Sequence, residues 1–268
     1  MEKIKLTEND RVYLLEDRED GLGCGSVNND GYLYFVDTNK GEALCLAEKY
    51  KDTPIVIYHP CGGYQDGLIM VSLLGEMDLQ GHHTFGDTAG IWGWIDLEGN
   101  EVIPPQYVYA MSFYKGRAIV CKGTWEIDSS NRYWCNDEQW GMIDKTGKEI
   151  VPCCFDEIFE IEDTDRFVFC HEGGWKNGHN CIFDIERGEI ILKMDFDFDD
   201  GYMFNECFFS NGCICFDEHI PGEEVDYIYA YSVNEKKWVA YKEKYEEREL
   251  DGQTKIVVKK DGQDIIVF

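Results

Sequence analysis

The chain has 268 residues, with 53 acidic against 25 basic side chains, a net charge of −28. That length allows one large or two small domains, and the charge excludes nonspecific nucleic-acid binding, which needs Lys and Arg for phosphates. Hydrophobic residues at 44% and aromatics at 14% exclude wholesale disorder and favour strands.

Along the chain, MEKIKLTENDRVYLLEDRED lacks the apolar core and small-residue cleavage site of a signal peptide. The expectation is a cytoplasmic protein whose twelve cysteines are reduced thiols. The longest apolar runs, such as Tyr227 to Tyr231, fall far short of the ~20 residues of a membrane helix. Lys3 to Leu15 reads as a strand that pairs with the last repeat, near Lys255 to Phe268.

One phrase then recurs. GYLYFVDTNKGEALCL at 31–46 has a strand, an Asp turn with Gly, and a returning strand; Asp66 to Val71 follows it. WGWIDLEGNEVIPPQY at 92–107 repeats the pattern and leads to FYKGRAIV. Trp92, Trp94 and Asp96 alternate with Gly93 and Ile95, the period-two mark of a strand. The Asp96 carboxylate can accept backbone N–H groups, and Gly99 tolerates the left-handed conformation of a short turn. Gly93 leaves room for a close neighbour. Pro104-Pro105 is expected to end the returning strand, because proline cannot donate to a ladder.

WGMIDKTGKEIVPCCF at 140–155 is a second clear copy, followed by Arg166 to Phe169. NCIFDIERGEIIL at 180–192 and YIYAYSVNEKKWVAY at 227–241 are looser, and Ser232 stands where the others carry Asp. With Asp37, Asp96, Asp144, Asp184 and Ser232 as markers, the steps are 59, 48, 40 and 48 residues.

Residues 92–120 and 140–169 resemble WG repeats, the tryptophan-glycine β-repeats. The resemblance implies a bacterial or phage origin and a scaffold used for contacts, and it brings no catalytic residue with it. The units at 31–71, 180–209 and 227–258 are weaker because they lack the Trp-Gly pair. The reading is one all-β repeat domain over residues 1–268, built from about five hairpin units. A propeller-like closed ring is favoured over an open β-solenoid, because closure removes exposed sheet edges. Two successive β domains are a further possibility.

Few stretches of the sequence point to chemistry. DFDFDDGYMFNE at 195–206 spaces Asp195, Asp197, Asp199 and Glu206 like a calcium loop, but Asp200 stands where that loop needs glycine. It aligns instead with the aromatic loop that follows each hairpin. Cys170-His171 with His179 and Cys181, and Cys207, Cys213, Cys215 with His219, lack the paired spacing of a zinc site. Alternation alone puts Cys213 and Cys215 on one strand face. His59 and Cys61 have no third group to complete a nucleophile. No catalytic residue, metal or cofactor is assigned.

Two features remain. Residues 155–226 hold 20 acids and 4 bases, Trp125 and Trp134 fall in the insert at 123–139 between the two clear repeats, and Trp175 falls in the EGGWKNG loop. Together they suggest a non-catalytic scaffold that occludes a basic protein, such as an immunity protein facing a toxin or nuclease. Asp195, Asp197, Asp199 and Asp200 would steer the partner, and the tryptophans would anchor it. The alternative is a ligand-binding or enzymatic propeller working at its loop-lined mouth.

Overall fold

In the computed structural model the described residues are 3–14, 20–30, 34–45, 55–56, 64–74, 90–127, 133–174, 178–194, 206–219, 226–250, 252–260 and 263–267. Their ordered elements are antiparallel strands, gathered in five sheets. Two compact units divide the chain, Met1–Glu157 and Ile158–Phe268.

The first unit contains three sheets. Sheet one is β1 (Lys3–Lys5), β2 (Val12–Leu14), β3 (Leu22–Val27), β4 (Tyr34–Asp37) and β5 (Glu42–Cys45), in the order β1-β5-β4-β3-β2. The described N-terminal strand pairs with β5 of its own sheet, where pairing near Lys255 to Phe268 was expected. Lys3, Ile4 and Lys5 lie opposite Leu44, Ala43 and Glu42.

Sheet two is β6 (Ile55–Val56), β7 (Tyr64–Gln65), β8 (Leu68–Leu74), β9 (Gly90–Asp96) and β10 (Glu101–Tyr107). Its order is β10-β9-β8-β6, with β7 also paired to β8. Sheet three runs β11 (Tyr109–Ala110), β12 (Arg117–Ile127), β13 (Tyr133–Asp144), β14 (Glu149–Phe155) in spatial as in chain order.

The second unit contains two sheets. Sheet four is β15 (Glu157–Glu160), β16 (Phe167–Glu172), β17 (His179–Asp184) and β18 (Glu189–Lys193), again in chain order. Sheet five has six strands in chain order: β19 (Glu206–Ser210), β20 (Cys213–His219), β21 (Asp226–Ser232), β22 (Lys237–Leu250), β23 (Gln253–Lys260) and β24 (Gln263–Ile266).

Each sheet holds one of the five expected hairpins, but the repeat is out of phase with the sheets. The apolar strand that follows a hairpin in sequence pairs with the next hairpin. Thus β12 comes after the β9–β10 hairpin yet hydrogen-bonds to β13. The repeat at 92–120 starts in sheet two and finishes in sheet three, so the chain ties neighbouring sheets together.

The hairpin turns share one device. Asp96 Oδ1 accepts the backbone N–H groups of Glu98 (2.9 Å) and Asn100 (2.7 Å). Asp144 Oδ1 accepts Thr146 N–H (2.8 Å), Thr146 Oγ1–H (2.6 Å) and Lys148 N–H (3.1 Å). Asp37 accepts Lys40 N–H (3.0 Å), and Asp184 accepts Glu186 N–H (3.1 Å). Ser232 substitutes through its hydroxyl oxygen, which accepts Glu235 N–H (3.2 Å). Turn length differs between copies. In the two Trp-Gly copies the left-handed glycine comes three residues after the Asp, at Gly99 and Gly147; elsewhere it comes four later, at Gly41, Gly188 and the non-glycine Lys236.

The prolines do not end their strands. Pro104 and Pro105 lie inside β10, and Pro152 lies inside β14, each an edge strand with register shifts. An edge position and a bulge are where a missing N–H is tolerated. The bulged backbone folds back over the Gly of the Trp-Gly pair. A Cβ on Gly93 would lie 2.5 Å from the Ile103 carbonyl oxygen and 2.6 Å from Pro105 N.

Alternation along the strands gives each sheet two apolar faces. In the first unit, Phe35, Leu44, Ile69, Val71 and Ile95 join sheets one and two. The opposite face of sheet two presents Met70, Trp94 and Ile103 to Ala118, Val120 and Ile143 of sheet three. Trp94, 1% exposed, packs edge-on against Phe113 (centroids 5.1 Å) and Tyr107 (6.0 Å). In the second unit, Phe167, Phe169 and Ile182 meet Ile214, Phe216 and Tyr229. Each Val, Leu, Ile, Phe or Met among them contributes about 1.5–3 kcal/mol on burial.

Candidate partner-binding site

The segment between the two clear repeats forms the longest projection of sheet three. Strands β12 and β13 continue past the reach of their neighbours: β11 pairs with β12 at Val120 and Cys121, and β14 pairs with β13 from Trp140 onward. Beyond those points the chain is a two-stranded ribbon, with Thr124 opposite Asn136, Trp125 opposite Cys135 and Glu126 opposite Trp134. A register shift separates Lys122 from Thr124, and Asp137 takes a left-handed φ of 54°.

An isolated two-stranded ribbon is marginal in water. This one is braced at its base by aromatic packing. Trp125 Nε1–H donates to the Gly90 carbonyl (2.9 Å), and its ring meets Tyr109 edge-on at 5.2 Å. Tyr109 stacks in turn on Trp140, with centroids 5.6 Å apart and planes 5° from parallel. Burial, reinforced by the carboxylate of Glu138, pushes the Tyr109 hydroxyl up to about 12. Burial likewise raises the Cys121 thiol to about 12, so it is a protonated packing group at neutral pH. Tyr109 and Trp140 were not among the residues singled out from sequence. The Tyr109-Ala110 pair of β11 carries no distinctive signal, and Trp140 reads simply as the tryptophan of its repeat.

The two expected tryptophans of the ribbon thus part company. Trp125 is half-buried inside the chain's own cluster. Trp134 occupies the opposite face, because adjacent strand positions alternate, and it is 48% exposed. The exposed carboxylate Glu126 lies directly opposite it across the ribbon, whereas Glu138 Oε2 accepts from Trp140 Nε1–H (3.4 Å) in the braced cluster. Lys122 is engaged by Glu149 at 2.5 Å. Its hydrogen bond holds Glu149 below the ordinary carboxylate range against the opposing effect of burial.

Asp195, Asp197, Asp199, Asp200 and Trp175 lie outside the described residues, as do the calcium-like stretch up to 205 and the pair His59 and Cys61. The cysteine clusters are described in large part. Cys170 and Cys181 face each other across β16 and β17, both fully buried, and His171 Nδ1 is 2.9 Å from Asn180 Oδ1. Cys207 packs with Ile214 and Phe216, whereas Cys213 and Cys215 pack with Ile228 and Ala230 on the other face of sheet five. Among the described residues no group of three or more His, Cys, Asp or Glu is placed to hold a metal ion.

Residues 92–123 and 140–175 match the family described as WG containing repeat. The comparison with curated proteins gives no match. Among solved structures, the chain is similar to an oligogalacturonate lyase from Vibrio parahaemolyticus at 10% identity, covering 99% of this chain and 97% of that one with a TM-score of 0.33. It is also similar to a eukaryotic initiation factor at 10% identity, covering 84% of this chain and 64% of the other with a TM-score of 0.31. At such scores neither likeness bears on chemistry. The two family matches coincide with the β9–β12 and β13–β16 runs, whose Trp-Gly strands, Asp turns and bulged proline strands are the most alike in the molecule. The chain is a WG-repeat-containing protein, with one repeat at residues 92–123 and another at 140–175.

Proposed function

We propose that this protein is a non-catalytic, cytoplasmic binding scaffold that occludes a basic protein partner, as a toxin-neutralising immunity protein does. The observation that carries this reading is the braced ribbon of β12 and β13, which holds Trp134 half in solvent opposite the carboxylate of Glu126. An exposed tryptophan on a rigid support is the usual chemistry of an interface anchor. The net charge of −28 supplies long-range steering toward a basic surface. Trp125 acts as the brace of the ribbon. Asp195, Asp197, Asp199 and Asp200, with Trp175, add a second set of acidic and aromatic groups from the most acidic segment of the sequence.

The test is affinity capture from the source cells with the full chain, at low and high salt, beside a Trp134→Ala variant. The expected result is one basic protein, identified by mass, whose retention drops with salt and with the substitution, and whose activity falls when bound. Retention of no protein, or of an acidic one indifferent to salt, would refute the reading.

A further inference from the structure

The register of the ribbon places Glu126 directly opposite Trp134. Directly opposed residues share one sheet face, with Cβ atoms about 4.5–5.5 Å apart. Both side chains are exposed. Most carboxylates with named partners on this chain serve turns or ion pairs: Asp96, Asp144 and Asp184 hold hairpins, and Glu149 and Glu218 hold Lys122 and Lys242. Glu126 takes part in no such arrangement among the described residues. The same face continues through Thr124 and Asn136, which add neutral hydrogen-bonding groups and no charge.

An indole face beside an open carboxylate is complementary to one kind of side chain. A guanidinium can stack flat on the ring while its edge gives two N–H groups to the carboxylate. An ammonium offers a point charge and cannot do both with the same fit. We infer that Trp134 and Glu126 form a seat for an arginine side chain of the basic partner. This deepens the proposed function and rests on it for the partner being a protein. The aromatic brace beneath gives the seat its use, since Trp125, Tyr109 and Trp140 fix the base of the ribbon and hold the opposite face steady.

The experiment uses the full chain labelled with fluorotryptophan, with the signal of residue 134 assigned by Trp134→Phe. Two short peptides serve as probes, identical except that one carries two arginines and the other two lysines. The arginine peptide is expected to move the residue-134 signal in a saturable way and the lysine peptide to bind more weakly. Glu126→Gln is expected to weaken the arginine peptide about three- to fivefold. The seat is refuted if the residue-134 signal does not move, if only other tryptophan signals move, or if Glu126→Gln leaves the affinity unchanged. Those results would leave the scaffold reading standing on its capture experiment, whereas failure of capture with a working seat would sink the scaffold reading alone.

Discussion

Gly141 lies under the backbone of Cys153: a Cβ at residue 141 would come within 2.8 Å of the Cys153 Cα, N and Sγ atoms. The same relationship joins Gly93 to the stretch from Ile103 to Pro105. It explains the glycine of the repeat physically, since the bulged return strand needs that space. Gly141→Ala and Gly93→Ala are each expected to destabilise the fold by about 1–3 kcal/mol through overpacking against backbone. Urea unfolding checks this, with a lower midpoint expected at unchanged slope.

The turn carboxylates set a pH dependence. The side-chain hydrogen bond from Thr146, aided by backbone N–H groups and opposed by burial, lowers the Asp144 pKa. For Asp96 burial is the largest single influence and raises the value, but hydrogen bonds from Asn100, Glu98 and Gly99 together outweigh it and the pKa is lowered. A carboxyl with a lower pKa in the folded state stabilises the fold above its unfolded pKa of about 3.9 and stops doing so as pH falls through its folded value. Thermal melting is therefore expected to hold steady, as far as these groups are concerned, down to about pH 5 and to fall below about pH 4. Asp144→Asn should lower the melting temperature at pH 7 and flatten that acid limb.

Lys236 occupies a left-handed position, φ 53°, where Gly188 stands in the neighbouring copy at φ 68°. A side chain in this conformation costs about 1 kcal/mol relative to glycine. Lys236→Gly is expected to raise stability by up to about 1 kcal/mol, and Gly188→Ala to lower it by a similar amount. Equilibrium denaturation of the two variants side by side provides the check. A loss of stability in Lys236→Gly would show that its lysine side chain has a stabilising role.

The two ribbon tryptophans should separate stability from binding. Trp125→Ala removes the ring packed on Tyr109 and the hydrogen bond to Gly90, and is expected to cost about 2–4 kcal/mol. Trp134→Ala removes an exposed ring and is expected to stay within about 0.5 kcal/mol of the parent. Differential scanning calorimetry of the two variants, read beside the capture experiment, distinguishes brace from anchor.

The hairpins were legible in the sequence because an Asp followed by a left-handed glycine is a local signal, and even the Ser232 replacement keeps the same acceptor. The phase of the sheets was not legible: which hairpin β12 joins depends on pairing with β13, and the repeat pattern is the same for either choice. The fate of Pro104 and Pro105 was misread because the sequence does not announce that β10 is an edge strand. The last hairpins, β22 to β24, carry a local sign in Asp251-Gly252 and Asp261-Gly262, dipeptides suited to tight turns. At the candidate site, the aromatic character of Trp125 and Trp134 was plain, but their separation onto opposite faces follows from a register that residue type does not encode.

Strands β1 and β2 are consecutive in the chain and yet occupy opposite edges of sheet one. During synthesis β1 is made before its partner β5, and cannot dock until Glu42 to Leu44 have emerged and folded onto β4. Of the five strands of this sheet, the earliest synthesised is therefore the last to join it, closing a loop of some forty residues, as set by the Lys3–Leu44 pairing. Closing such a loop is entropically slower than forming the hairpins between neighbours. Until it closes, β5 offers a bare edge to other nascent chains, and the Lys3–Glu98 ion pair at 2.6 Å cannot form between β1 and the turn of sheet two. Removing the first five residues would make that transient edge permanent, turning a delay in folding into a site for edge-to-edge aggregation.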